Sequence, residues 1–442
     1  MPRKTKIIFI IVFILVGALM FGVYFYFKTK TSNTTNPNTS IYQNFNPFGT
    51  SSKAPVTTTP DQGTTTTTGQ EGTKEISRFH KITDFSVAGA VFLEDTRPLP
   101  QKETSTVAET PAPEVTTTTV AKGTKKTAVK AVIKIPEPTT EIVPSLRYVE
   151  KATGHVYQMY LDTKVVGKIS NSTVPSVYET IFDGKGASII YRYLSSDNTS
   201  ITSFLASLGG KNSSFLASDI TAISLSPAKD KFFSIIKTLN GSIGVTKPFD
   251  ITKTTQVFSS PFSEWTPEWV TDKNVFLTTK PSYLVNGTVF NLDITKGTLS
   301  KIFGDIPGLT TLANNDGTVI LYGSSLDSGP KLNIFNIKTH TSTDLNTFGL
   351  PEKCIWSNDN INIYCAIPNT IIGTQYPDYW YQGLVSFEDR FVKINTKTND
   401  TVTLANSGNE TPIDATQLFL SDKESGLFFI NKKDGTLWSL DL

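Results

Sequence analysis

Cysteine, methionine and histidine are almost missing from this chain: 2, 3 and 3 among 442 residues. Two cysteines cannot build a disulfide-rich scaffold. Three histidines, His80, His155 and His340, stand far apart without an H-E-x-x-H or Cys/His spacing, so no metal centre and no other cofactor is predicted. Charge of one sign is lacking as well. A net charge of +2 without a basic stripe argues against nucleic acid as a partner. There is no G-x-S-x-G nucleophile elbow and no phosphate-binding loop, so no catalytic residue is assigned. Helical periodicity is scarce beyond the first residues.

What the chain does have is Thr, Ser, Asn and Gly, with 11% aromatics. β-branched and aromatic side chains suit pleated surfaces, and Asn, Gly and Ser suit tight turns, so the composition predicts an all-β fold.

The exception lies at the start. Ile7 to Phe27 reads IIFIIVFILVGALMFGVYFYF, without a charge. As a helix it would extend roughly 31 Å, the thickness of a bilayer's hydrocarbon core. Residues 7–27 are therefore expected to span the lipid bilayer as a signal-anchor. A cleaved signal peptide is the alternative, but FGVYFYF lacks the small-residue cleavage pattern. Arg3, Lys4 and Lys6 keep residues 1–6 in the cytoplasm, which puts everything after Lys28 outside it. The expectation is a single-pass cell membrane protein. Residues 28–75, with PVTTTPDQG and TTTTTGQEG, bury too little to fold and are expected to form a disordered stalk. Residues 96–141 carry a second Pro/Thr/Lys-rich tract, read as a disordered insertion.

From residue 76 to 442 the pattern is strand, turn, strand, in units that recur roughly every 35 to 50 residues. Units begin near Tyr178, Ile220, Glu268, Leu309, Lys353 and Thr416. Each opens with an alternating strand, turns through Asp, Asn, Gly or Lys, and returns through a strongly apolar one. A four-stranded sheet of this size cannot bury both faces alone, and packing such sheets around an axis gives a β-propeller. The first unit takes Val87 to Leu93 as its inner strand and resumes after the insertion with RYVEKATG, HVYQMYLD and VVGKISNS. The last unit has three evident strands, and the segment Ile76 to Thr83 supplies its fourth. That closure removes the sheet edges and predicts seven blades, with six or eight as the neighbouring counts that the degenerate repeats also fit.

Propeller topology places the stalk and the insertion on one face. The long connection PNTIIGTQYPDYWYQG, Pro368 to Gly383, belongs to the opposite face, away from the membrane. Tyr376, Asp378, Tyr379, Trp380 and Tyr381 form its candidate binding set, for a polypeptide or glycan if the rings are exposed. The other reading has the rings folded back over neighbouring blades. Cys354 and Cys365 flank the turn SNDN and either form a cross-strand disulfide or remain two buried thiols. Asp183, Asp219, Asp230, Asp272, Asp316, Asp359 and Asp434 lie near inner turns, where aspartate accepts turn amides.

The repeats, with entries such as LSPAKDKFFSI and closings such as GTLWSLDL, resemble those of the TolB-like and WD40-like propeller superfamily. The stretches RYVEKATGHVY and YPDYWYQG resemble segments of membrane-anchored bacterial proteins of reduced-genome lineages. These resemblances imply a binding platform more often than an enzyme and bring no catalytic residues with them. The expected role is a binding or scaffold module for an envelope protein or surface polymer. A lyase or glycan hydrolase working from the central pocket is the alternative.

Overall fold

The computed structural model describes residues 78–99, 140–196, 199–210, 213–250, 253–326, 328–408 and 411–442. The spanning segment 7–27, the stalk 28–75 and most of the insertion lie outside them. Among the described residues no helix is long and apolar enough to cross a membrane.

The described chain forms seven four-stranded antiparallel sheets. Blade 1 contains β2 (Val87–Pro98), β3 (Thr140–Glu150), β4 (Val156–Tyr160) and β5 (Val166–Lys168). Blade 2 follows with β6 (Val177–Phe182), β7 (Ser188–Leu194), β8 (Ile201–Ser207) and β9 (Ser214–Phe215), and blade 3 with β10 (Ile220–Leu225), β11 (Lys231–Thr238), β12 (Gly241–Pro248) and β13 (Thr255–Ser260). Blade 4 comprises β14 (Trp265–Trp269), β15 (Asn274–Thr279), β16 (Asn286–Asp293) and β17 (Thr298–Pro307). Blade 5 comprises β18 (Thr310–Ala313), β19 (Val319–Leu326), β20 (Gly329–Asn336) and β21 (Thr341–Phe348). Blade 6 holds β22 (Cys354–Trp356), β23 (Asn362–Pro368), β24 (Asp389–Asn395) and β25 (Thr401–Asn406). Blade 7 combines β26 (Ala415–Leu420), β27 (Gly426–Asn431) and β28 (Leu437–Asp441) with β1 (Phe79–Lys81) from the other end of the chain.

Every seam between consecutive blades has its own apolar cluster. Val91 and Val149 meet Ile189 and Tyr191 between blades 1 and 2, and Leu205 meets Phe232 between 2 and 3. Further round, Phe258 packs with Trp265, Phe303 with Phe335, and Leu332 with Ile363. Phe391 and Phe429 join blades 6 and 7, and Tyr148 with Phe428 joins 7 back to 1. Seven sheets with seven filled seams make a closed ring. The second strands run apolar on both faces because each is sandwiched between neighbouring sheets: GLFFIN of β27 is buried throughout. Fourth strands face water and are short or polar, as in TVTLAN of β25.

Closure follows the expected pairing. Phe79 lies opposite Leu440, His80 opposite Ser439 and Lys81 opposite Trp438. Arg78 donates to the carbonyls of Leu404 (2.8 Å) and Asp441 (2.5 Å), and His80 Nε2 lies 2.9 Å from Asp441 Oδ2. The two ends of the expected insertion, residues 96–98 and 140–141, are strand rather than loop. Thr96, Arg97 and Pro98 pair with Ile142, Glu141 and Thr140, so β2 and β3 extend as a hairpin into it. Arg97 holds that extension together, 2.7 Å from both Glu141 and Asp162.

The strand order gives the ring two distinct faces. Connections between second and third strands, and from blade to blade, share one face, called upper below. Connections between first and second strands, including the one from Pro98 to Thr140, share the lower face.

Candidate functional site

The connection from β23 to β24 crosses the upper face and carries the sequence-predicted set. Its one short helix, α1 (Asp378–Tyr381), follows a cis Tyr376–Pro377 peptide. Tyr376 and Trp380 are buried, so at these two positions the rings take the folded-back one of the two arrangements the sequence left open. They stack on Phe387 at 5.7 and 6.4 Å and form an apolar cluster with Leu350 and Val385. The physical reason is the gain from removing large rings from water, which far exceeds what a polar loop surface offers. Asp378 turns toward blade 4, where its Oδ2 accepts the Tyr283 amide at 2.7 Å. Tyr379 is half-buried against the same cluster. Tyr381 alone of the four rings is exposed, at 45%, and its hydroxyl donates to Glu352. The exposure belongs to the residue as a whole, whereas its hydroxyl is turned onto Glu352, and desolvation there, with the Glu352 charge second, pushes the phenol well above its ordinary value. Gly308 lies beneath the loop with φ +62°, and a Cβ there would come within 2.7 Å of the Tyr376 carbonyl.

Under this roof lies a group that sequence reading did not find. Lys353, Asp389 and Asp414 are each fully buried. Lys353 Nζ lies 2.5 Å from Asp414 Oδ1 and 2.8 Å from Asp389 Oδ2, and it also donates to the Ala415 carbonyl at 2.8 Å. Trp380 Nε1 donates to both Asp414 oxygens, at 3.0 and 3.1 Å. Asp414 Oδ2 further accepts from Ser386 Oγ (3.1 Å) and the Phe387 amide (3.0 Å). Asp389 Oδ2 accepts the Ala415 amide at 2.7 Å, whereas Asp389 Oδ1 has no hydrogen-bond partner among the described residues. Lys353 Nζ stands 5.2 Å from the Trp380 ring centre and 5.4 Å from that of Phe387. Lys432 covers the Trp380 ring at 4.1 Å and donates to its carbonyl.

The two carboxyls are driven apart. Burial pushes Asp389 up to about 6, against the pull of Lys353. Burial acts on Asp414 in the same sense, but Lys353 and the Phe387 and Trp380 donors outweigh it and hold Asp414 below its ordinary value. No single short motif could reveal this group, because Lys353 and Asp414 are 61 residues apart. The signal in the sequence is faint: one charged residue at the start of each of three apolar strands.

At the axis the innermost strands of blades 1, 2, 3 and 7 enclose a cavity of about 280 Å³ lined by Phe92, Glu179, Gln417, Phe419 and Asp422. Glu179 is held by Arg192 at 2.7 Å. A neighbouring cleft of about 440 Å³ includes Glu268, whose carboxyl accepts the Ala313 amide at 2.9 Å. Burial raises Glu268 to about 8. Among the described residues no three His, Cys, Asp or Glu side chains converge as metal ligands.

Other predicted residues take structural positions. Cys354 and Cys365 lie opposite each other on β22 and β23, and their sulfurs are bonded. Asp183, Asp316, Asp359 and Asp434 accept turn amides as expected. Asp230 instead accepts the Ser226 hydroxyl at 2.8 Å.

No protein-family model and no curated protein matches the chain, so the likeness of RYVEKATGHVY and YPDYWYQG to proteins of reduced-genome lineages has no counterpart there. Solved structures do resemble it. An oligogalacturonate lyase in complex with manganese is 11% identical with a TM-score of 0.49, over 67% of this chain and 86% of that one. The oligogalacturonate lyase of Vibrio parahaemolyticus is also 11% identical, with a TM-score of 0.47 over 67% and 85%. TolB from Acinetobacter baumannii is 10% identical, with a TM-score of 0.38 over 68% and 77%. The ring itself, with seven four-stranded sheets, seven apolar seams and a last blade completed from the N-terminal side, makes the fold a seven-bladed β-propeller.

Proposed function

We propose that the protein is a membrane-anchored binding module whose upper face docks another protein of the cell envelope. Residues 7–27 would hold it in the bilayer and residues 28–75 would keep the ring at a distance. The stalk joins the ring at β1, an outermost strand entered from the lower face, so the upper face would point away from the membrane.

The observation that carries the docking role is the apolar character of the upper-face connections. Leu239, Phe262, Leu284, Val285, Ile372 and Leu384 all lie on them, and each is more than half exposed. Exposed apolar side chains gathered on one face mark interaction sites in soluble domains, and apolar side chains favour a protein partner over a hydrated polymer. The loop that carries Ile372 and Leu384 rests on the buried Trp380 and Tyr376, and Asp378 ties it to the loop that carries Leu284 and Val285. A surface held in place this way loses little conformational entropy on binding. Tyr381 adds an exposed ring on the first of these loops. The axial carboxylates offer no comparable support for the enzymatic alternative, since Glu179 is engaged by Arg192 and Glu268 by a backbone amide.

The test is a pair of charge insertions, Leu284→Asp with Leu384→Asp, followed by affinity capture from detergent-solubilised membranes. Loss of the captured partner with an unchanged melting temperature supports the proposal. An unchanged partner set contradicts it.

A further inference from the structure

The fully buried group of Lys353, Asp389 and Asp414 does more than an ion pair requires. Replacing a buried pair with apolar residues is often neutral or stabilising, so its presence here calls for another use. An amine and a carboxyl pressed together away from water also lose much of the solvation that keeps them apart as ions. The remaining ingredients of amide condensation surround them. We propose that Lys353 and Asp414 join through an autocatalytic isopeptide bond, with Asp389 as the proton-transfer group.

The atoms balance without a further reactant. Transfer of one proton from Nζ by way of Asp389 to Asp414 Oδ1 first converts the ion pair to a neutral amine and a neutral carboxyl. Nζ then attacks Asp414 Cγ, forming the N–C bond, and the bond from Cγ to Oδ1 breaks. Of the three ammonium protons, one stays on the amide nitrogen and two reach Oδ1, which leaves as water. Asp389 accepts a proton from Nζ and delivers it to Oδ1, so it ends as it began. Its Oδ2 lies 2.8 Å from Nζ, and its Oδ1 is unpartnered among the described residues and free to hold the proton in transit. Burial sets Asp389 to about 6, where both protonation states are accessible near neutrality.

Asp414 carries the features of the electrophile. Its Oδ2 receives Trp380 Nε1, the Phe387 amide and Ser386 Oγ at 3.0 to 3.1 Å, a donor set suited to the negative oxygen of a tetrahedral intermediate. Its Oδ1 is the atom nearest Nζ, at 2.5 Å. Proximity of this order in a rigid site is worth a large share of a bimolecular barrier. The Trp380 and Phe387 rings exclude water, which favours condensation over its reverse. The bond would tie the entry of β22 to the entry of β26 and so fasten the seam between blades 6 and 7.

The measurement is mass spectrometry of the full-length protein after reduction and denaturation, with peptide mapping. The expected result is a branched peptide joining Lys353 to Asp414, lighter than its two parts by one water. The Asp389→Asn variant is expected to yield the same two peptides unjoined. Recovery of both as separate linear peptides from folded wild-type protein would overturn the proposal, as would a link from Lys353 to Asp389. The wild-type map decides the matter even if the variant does not fold.

Discussion

Trp380 links the roof of the upper face to the ion group beneath it, and its removal should show how much that link is worth. In Trp380→Ala the buried indole is lost, which for a large core side chain costs about 3 to 5 kcal/mol. The same change takes away the Nε1–H donated to Asp414 and the ring lying near Lys353 and Lys432. Trp380→Phe separates the two contributions. It keeps a ring against Phe387 and removes the hydrogen bond to Asp414, a loss of about 1.5 to 3 kcal/mol for a charged acceptor, together with the smaller packing contribution of the indole's second ring. Denaturant unfolding of the two variants, followed by near-ultraviolet circular dichroism, should rank them wild type, Phe, Ala. A Trp380→Ala cost below about 1 kcal/mol would be the value for a surface ring and would refute the buried-roof reading.

Two further perturbations test other parts of the structure. Glu268 binds its proton more tightly folded, near about 8, than unfolded. Its contribution to stability is therefore full below the ordinary glutamate range and lost as pH rises through about 8. Glu268→Gln should flatten the fall in melting temperature across that window, and an unchanged pH profile would show the carboxyl to be solvated. Starting the chain at Phe85 removes β1 and leaves β28 as an open edge. That truncation should turn a monodisperse ring into an aggregating species on size exclusion, because an unpaired strand recruits others. A stable monomer would mean that β1 is dispensable.

Much of the ring was legible in the sequence because its signals are local and repeated. Apolar second strands such as KFFSIIKT and GLFFIN recur between turn residues, and a last unit with three strands calls for a fourth. The break in blade 1 was legible for the same reason, since RYVEKATG and HVYQMYLD continue the alternation that VAGAVFL starts. The upper-face loop was visible as an unusual run of aromatics, but composition does not say which rings turn inward. That was decided by what lies beneath: Phe387 and Leu350 offer Tyr376 and Trp380 an apolar floor, and Glu352 offers Tyr381 an acceptor. The Lys353, Asp389 and Asp414 group was illegible because each member is an ordinary residue at a strand entry. Only the closing of blade 7 against blade 6 brings them within bonding distance.

The docking role of the upper face is tested most directly by photo-crosslinking in intact membranes. A photoreactive residue at Leu384, on the upper face, is compared with one at Val402, exposed on the outer strand of blade 6. The account predicts a discrete crosslinked protein from position 384 and none from 402. Equal labelling from both positions, or none from 384, would contradict it.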